Sequence, residues 1–466
     1  LSTLLERPEF GIEPVPPEHR TLSALDIGVL WGDLGIGLLV LVTGALLVPG
    51  LGFWPAFAAI VVGSIIGVAL LAAGASAGAQ HGVPTMVLFR PILGIRGSWV
   101  PTVFNVAQLV GWTAVELWAI SSAANFVSRR ELGFESRGLW LGLAAIICTG
   151  LALWGPVGVT KQWLERFGVW VIGGISLAVT ILVLTSGDLG TVLSKPGDGI
   201  FPSFGGALDL VIAMPVSWLP LVADYTRFGN KPRGAFFGTF WGYLLANVWL
   251  YSLGALLVLT ADAAPSPEGI ALGILTVGGG SIAGVLFLVG LLVGETDEAF
   301  ANIYSGAVSI QNLWPRLSQK ALIVGIAAIG TALAAILTME LYESFLFLIG
   351  SLFVPLFGVF LAEHFLIRRG RVATEELYKR SGDYWFEGGF RLRAFVPWIA
   401  GFVVYHVISP SPVDWWMDLF SVFGDPLSQD YGWLSASIPS FVIAFVVSLA
   451  MGRDISSRRL PREVNP

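Results

Sequence analysis

Trp31-Gly32-Asp33-Leu34-Gly35-Ile36-Gly37 puts three glycines and a carboxylate in the middle of an apolar run extending from about residue 25 to 48. A run of that length suits a membrane-spanning helix, which needs ~20 predominantly apolar residues. Glycine at this density weakens the helical ladder near its centre. A carboxylate at mid-bilayer costs roughly 2.5–3.5 kcal/mol on insertion scales, so it persists mainly where it faces a cavity or a polar pathway. The run Met214-Pro215-Val216-Ser217-Trp218-Leu219-Pro220 interrupts a second apolar segment with two prolines. Kinks and glycine packing are common in membrane helices. Two breaks at matching positions in two halves, one beside Asp33, point instead to an inverted-repeat transporter with its site at the breaks.

The composition agrees. Of 466 residues 55% are hydrophobic and 12% charged, with mean hydropathy +0.77; a soluble domain carries about 25% charged residues. The 57 glycines exceed the usual ~7% and suit helices packed backbone to backbone in lipid. The net charge of −6 says little, because placement matters more than the sum. The single Cys148 excludes an internal disulfide, and His19, His81, His364 and His406 form no close metal-ligand pattern. Residues 1–20 lack an apolar core, so no cleavable signal peptide is expected. No nucleophile constellation or metal motif points to an enzyme, and no cofactor is expected.

Reading for spans of adequate length predicts twelve: about 25–48, 55–79, 100–127, 138–155, 168–186, 205–223, 234–260, 276–308, 321–337, 343–366, 395–409 and 432–451. On one side of these lie Arg7, Arg20, Arg90, Arg96, Lys161, Arg166, Arg227, Lys231, Arg233, Arg316 and Lys320, then seven basic residues from Arg368 to Arg393 and four from Arg453 onward. That makes 22 against four (Arg129, Arg130, Arg137, Lys195), which places the rich side and both termini in the cytoplasm. The expected organisation is a cytoplasmic tail (1–24), a first five-helix group (25–190), a second (200–370), two further helices (395–451) and a cytoplasmic tail (452–466). The whole is a multi-pass, all-α protein of the cell membrane.

Two spans carry the remaining polar groups. In the third, Asn105, Gln108, Trp112 and Glu116 fall on one stripe. Trp112 can stack on a flat ligand and Glu116 can read an amino-substituted ring edge. For Asn105 and Gln108 a polar seam between helices is the better reading. In the eighth, Gly294-Glu295-Thr296-Asp297-Glu298 is followed by Asn302 and Ser305. Glu295, Glu298 and Asn302 share a face, and Asp297 points nearly opposite. Thr and Asp oxygens are hard ligands suited to Na+, and a buried Asp can instead exchange a proton. Glu295 reads equally well as a water-exposed acid near a helix end.

These motifs together resemble the purine/cytosine permease family of nucleobase–cation symporters. The resemblance spans nearly the whole chain. It rests on Phe89-Arg90-Pro91-Ile92-Leu93-Gly94-Ile95-Arg96-Gly97-Ser98-Trp99, Val110-Gly111-Trp112 and Ala223-Asp224-Tyr225-Thr226-Arg227-Phe228. Ala301-Asn302-Ile303-Tyr304-Ser305 and the run from Gly358 to Arg369 complete it. The resemblance implies a five-plus-five inverted repeat of the leucine-transporter type with two helices added, working as a monomer by alternating access. It implies that Trp112 stacks on substrate, that Glu116 and Asn302 contact the ring, and that the broken segment at Asp33 and Gly37 lines the site. The second aromatic of the family's sandwich falls on Pro215, a departure that Trp218 can replace, with Ser217 as a polar contact. It implies a sodium site from the carbonyls of Asp33 and Ile36 with Thr296 and Asp297. The acids there depart from the family's neutral pattern and raise the prospect of proton coupling.

The Trp-Gly-Asp-Leu-Gly pattern and Glu116 look most like the hydroxymethylpyrimidine branch. A carboxyl can pair with the amino group and ring nitrogen of a 4-aminopyrimidine, whereas the carbonyls of uracil or a hydantoin repel it. Cytosine satisfies the same logic. The alternatives are a purine, a hydantoin or allantoin, or an amine or amino acid with Asp33 as ammonium partner. No nucleic acid partner is expected.

Overall fold

The computed structural model describes residues 10–159, 168–278, 282–409 and 414–452. Arg7, Lys161, Arg166 and the basic residues from Arg453 onward, with most of the C-terminal tail, lie outside the described residues. Among the described residues there are helices and two isolated bridges but no named strand.

The principal helices are α1 (Ala24–Asp33), α2 (Leu38–Ala45), α3 (Phe53–His81), α4 (Trp99–Leu132), α5 (Arg137–Trp154), α6 (Val169–Thr185) and α7 (Phe204–Trp218). They continue as α8 (Pro232–Ala261), α9 (Pro267–Val277), α10 (Ile282–Leu313), α11 (Gln319–Ala334), α12 (Met339–Leu361), α13 (Phe395–Ile408) and α14 (Ser437–Gly452). Among the described residues, six helices are long and apolar enough to cross a bilayer, and seven if α1 and α2, bent by 59°, form one span. Among the described residues each segment expected to span holds a helix, but α6, α11, α13 and α14 are short. The eighth expected span begins later than residue 276: a separate helix, α9, ends at Val277, and α10 starts at Ile282.

Two groups of helices frame the centre. In one, α8 packs along α1, α2 and α3, and α7 packs on α3 and α12; in the other, α10 packs on α4 and α5, with α11 against α4. The contact of α1 with α8 is glycine on glycine. Gly28 and Gly32 meet Gly238 and Gly242, so close that a methyl on Gly242 would fall on the Gly28 carbonyl. Small residues at this spacing let backbones touch, which replaces the hydrophobic drive that lipid cannot supply.

The expected break in the first span is present, and part of its backbone is re-paired locally. Ile36 N–H turns back to the Asp33 carbonyl at 2.8 Å and Gly35 N–H to Gly32 at 3.3 Å, tightening the end of α1. The chain then runs extended through Gly37 (φ −146°, ψ 166°), which has no side chain to cap α2. The two leading N–H groups of α2, from Leu38 and Leu39, donate instead to Oε1 of Glu295 on α10. A carboxylate is the favoured partner for a helix N-terminus.

The second break differs from expectation. No comparable bend appears in the sixth span, and Pro215 lies inside α7. The irregularity comes one turn later, as a 3-10 turn over Leu219–Leu221 that leads into a short helix, Val222–Thr226. Pro220 offers no N–H, so carbonyls nearby need other donors. The third-span amides supply them: Gln108 Nε2 donates to the Ser217 carbonyl at 2.9 Å and Asn105 Nδ2 to that of Pro220 at 3.3 Å. The seam reading of Asn105 and Gln108 holds. At the other end of α7, buried Asp209 accepts from Ser435 Oγ (2.6 Å), Ala436 N–H (2.8 Å) and Ser437 N–H (2.9 Å), fixing the start of α14 to α7.

Candidate functional site

The acids singled out in the sequence converge on the break between α1 and α2. The Glu116 carboxyl of α4 lies against those of Glu295 and Glu298 of α10. All three are almost wholly buried. No N–H or O–H reaches either oxygen of Glu116. Gly37 completes the group, since a Cβ there would fall on oxygens of Glu295 and Glu298. The opposite face of α10 turns to α1, where the Asp297 carboxyl meets that of Asp33. Helix α10 therefore touches the break with two acidic faces. Its Thr296 hydroxyl donates to the Val293 carbonyl at 2.6 Å and keeps its lone pairs.

Aromatic rings wall this polar centre. Trp112, one turn before Glu116, is buried with its indole N–H unpaired, and packs edge-on to Phe345 (5.4 Å) and Tyr342 (6.2 Å) of α12. The Tyr342 hydroxyl bonds Thr43 of α2 at 2.8 Å. From the other side, Trp218 meets Trp31 at 5.9 Å in a T-shaped pair, and Trp31 meets Tyr243 of α8 at 6.1 Å. Asn302 is buried with its amide nitrogen unpaired.

Some expected positions fall elsewhere. The Pro215 ring packs on Gly67 of α3, so it does not take the place of an aromatic wall. The Ser217 hydroxyl is engaged with the Met214 carbonyl at 2.6 Å. The Asp33 carbonyl already receives Ile36 N–H, leaving one lone pair for an ion, and Ile36 is buried beside it. Glu295, read equally well as a wetted end residue, is fully buried and caps α2. Tyr243, Tyr342 and Thr43 are absent from the sequence reading, because a single tyrosine or threonine in an apolar helix carries no local signal of what it faces. Among the described residues no group of three or more His, Cys, Asp or Glu side chains has a metal-holding arrangement.

The sequence model of a family described as "Permease for cytosine/purines, uracil, thiamine, allantoin" matches residues 14–433. The chain belongs to this family. It is a permease, and with its apolar helices a multi-pass membrane protein. Among relatives in the family, an allantoin permease of Bacillus subtilis is 26% identical over 426 residues, covering 84% of this chain and 85% of its own. A hydantoin permease of Microbacterium maritypicum is 26% identical over 406 residues, with coverages of 83% and 80%. A cytosine permease of Escherichia coli is 23% identical over 371 residues, with coverages of 77% and 82%. The fold matches that of Mhp1, a nucleobase-cation-symport-1 family transporter solved in a closed conformation with bromovinylhydantoin bound. The TM-score is 0.81 at 19% identity, over 98% of this chain and 97% of that one. Against the inward-facing conformation of Mhp1 the TM-score is 0.76.

Gly37→Ala tests the crowding at the break. Overpacking costs about 1–3 kcal/mol, and the new methyl would push Glu295 off the start of α2. Substrate affinity is expected to fall at least about tenfold, with the protein still monodisperse and its unfolding temperature a few degrees lower. Ligand binding and thermal shift on the same preparation check this. Wild-type affinity in Gly37→Ala would separate the glutamates from the binding site.

Proposed function

We propose that this permease is a cation-coupled importer of an aminopyrimidine, hydroxymethylpyrimidine or cytosine, working by alternating access. The reading takes twelve spans in a five-plus-five inverted repeat plus two, a monomer, and both termini in the cytoplasm. Its support is the alternation of basic loops and the interruption of the first span after Asp33. The ligand lies on Trp112, its amino edge toward Glu116, with Asn302 and the backbone near Gly37 at its rim and Trp218 across the site. The coupling ion, Na+ or a proton, sits between Asp33 and Asp297 with the Ile36 carbonyl and Thr296 in reach.

One observation carries the substrate choice. Glu116 is buried without a single N–H or O–H donor from the protein, so the ligand is the natural source of donors. A buried acceptor left unpaired costs about 1–3 kcal/mol or more. A 4-amino group supplies the missing hydrogen bond, and a carbonyl in its place does not. The same logic argues against amino acids. In transporters with broken helices the half-helix N-terminus takes the substrate carboxylate, and here Glu295 already fills that position. The second reading, an oxo-rich ring such as allantoin or a hydantoin, draws its support from the permeases named for those compounds.

Glu116→Gln distinguishes the two. The amide keeps the shape but loses the charge and the shareable proton. Cytosine and hydroxymethylpyrimidine affinities are expected to fall about ten- to a hundredfold while uracil and hydantoin change little, compressing the preference. Competition binding across these ligands measures it. An unchanged rank order would make Glu116 a structural residue and favour the second reading.

A further inference from the structure

Glu116 is not alone at the proposed ligand edge. Glu298 meets it from α10, and one Glu298 oxygen is buried without a donor. Glu295 is already committed to the Leu38 and Leu39 N–H groups, but Glu298 has no such backbone partner. No lysine or arginine pairs with Glu116 or Glu298 among the described residues. A second observation comes from a different helix. The Tyr243 hydroxyl of α8 is fully buried beside Glu298 and Glu116, and the Trp218 indole is its neighbouring donor, which leaves its own O–H to be given. Asn302, one turn beyond Glu298 on the same face, holds an unpaired amide nitrogen. The unspent hydrogen-bonding capacity thus comes from α4, α8 and α10 together.

Two carboxyl groups in contact hold together only with a proton between them or with a cation or donors inserted. A neutral ring with one amino group satisfies one of them and leaves the second desolvated and unpaired. A ring whose amino groups are conjugated to a protonated nitrogen offers two or more N–H donors and a positive charge along one edge. Such an amidinium edge pairs with two carboxylates through charge-assisted hydrogen bonds, which are roughly twice as strong as neutral ones.

We propose that Glu298 and Tyr243 complete the substrate site, and that the favoured ligand presents a cationic, amidinium-type edge to the Glu116–Glu298 pair. This rests on the assignment of Trp112 and Glu116 to the substrate site. Glu298 sets the charge and donor number of the ligand, and the Tyr243 hydroxyl, with its O–H to donate, orients that carboxylate.

The test is binding to the full chain in lipid nanodiscs, with 4-aminopyrimidine, 2,4-diaminopyrimidine and uracil as probes. The diamino compound is expected to bind at least about tenfold more tightly than 4-aminopyrimidine, the effect of one added charge-assisted hydrogen bond. Glu298→Gln is expected to erase that advantage while 4-aminopyrimidine still binds and uracil remains weak. Tyr243→Phe, which keeps the ring and its packing, is expected to reduce the advantage severalfold, and it reads the same preference if Glu298→Gln does not fold. Equal affinity of the two amino compounds for the wild type would overturn the proposal. So would an advantage that survives both substitutions. If neither amino compound binds and uracil does, the aminopyrimidine reading itself fails, an outcome distinct from the other two.

Discussion

Trp112→Ala is expected to weaken substrate binding by about 5- to 150-fold, the equivalent of the roughly 1–3 kcal/mol that stacking a base on an aromatic ring contributes. The indole has the right surroundings for this role. Phe345 and Tyr342 meet it edge-on at 5.4 and 6.2 Å, fixing its plane and leaving the ligand to supply the stacked partner. Gly111 beside it has no side chain where a Cβ would strike the Phe345 ring, so the aromatic pair can close. Removing a buried tryptophan also costs packing, about 3–5 kcal/mol in a well-packed core. Affinity is therefore measured on the folded fraction, by equilibrium binding alongside a thermal unfolding curve. Trp112→Phe, which keeps a smaller stacking face, is expected to fall between wild type and Trp112→Ala. If both variants bind as wild type does, Trp112 is packing alone and the ligand lies elsewhere.

Asp297→Asn is expected to abolish coupling while leaving weak binding intact. Asp297 reaches from α10 to Asp33 at the end of α1, so a cation held between them ties the two helix groups together across the break. By linkage the ion raises substrate affinity by the same factor as substrate raises ion affinity, and typical coupling of about 1–3 kcal/mol gives roughly 5–150-fold. In the wild type, substrate titrations at several Na+ concentrations and several pH values are expected to show a dependence of that size on one of the two. Dependence on Na+ at constant pH assigns sodium; dependence on pH alone assigns a proton. In Asp297→Asn the curves are expected to superimpose. Coupling that persists undiminished would move the ion away from this pair.

The helices and the first break were readable in the sequence because each leaves a local mark: a long apolar run, glycines at positions 32, 35 and 37, a carboxylate where lipid should be. The two faces of the eighth span followed from helical spacing alone. What spacing could not reveal was which partner each face meets. Glu116 meets Glu295 and Glu298, and Asp33 meets Asp297, only because α10 lies against both α4 and the end of α1, a relation set by packing between distant segments. Glu295 read equally well as an exposed residue because the donors it serves, Leu38 and Leu39 N–H, are backbone groups freed by a break 256 residues away. Pro215 shows the reverse. A proline in a helix suggests a break at that position, but the backbone departs from the α-form only at Leu219–Leu221, around Pro220, and the Pro215 ring lies on Gly67.

Uptake by the purified permease in sealed proteoliposomes decides between this account and its rivals. With an inward Na+ gradient, or an inward proton gradient at constant Na+, labelled cytosine or hydroxymethylpyrimidine is expected to accumulate above its external concentration. Dissipating the gradient should release it, unlabelled aminopyrimidine should block it, and uracil or allantoin in similar excess should not. Equilibration without accumulation under both gradients would make the protein a facilitator, and accumulation of allantoin or a hydantoin with no uptake of aminopyrimidines would contradict the assigned role of Glu116.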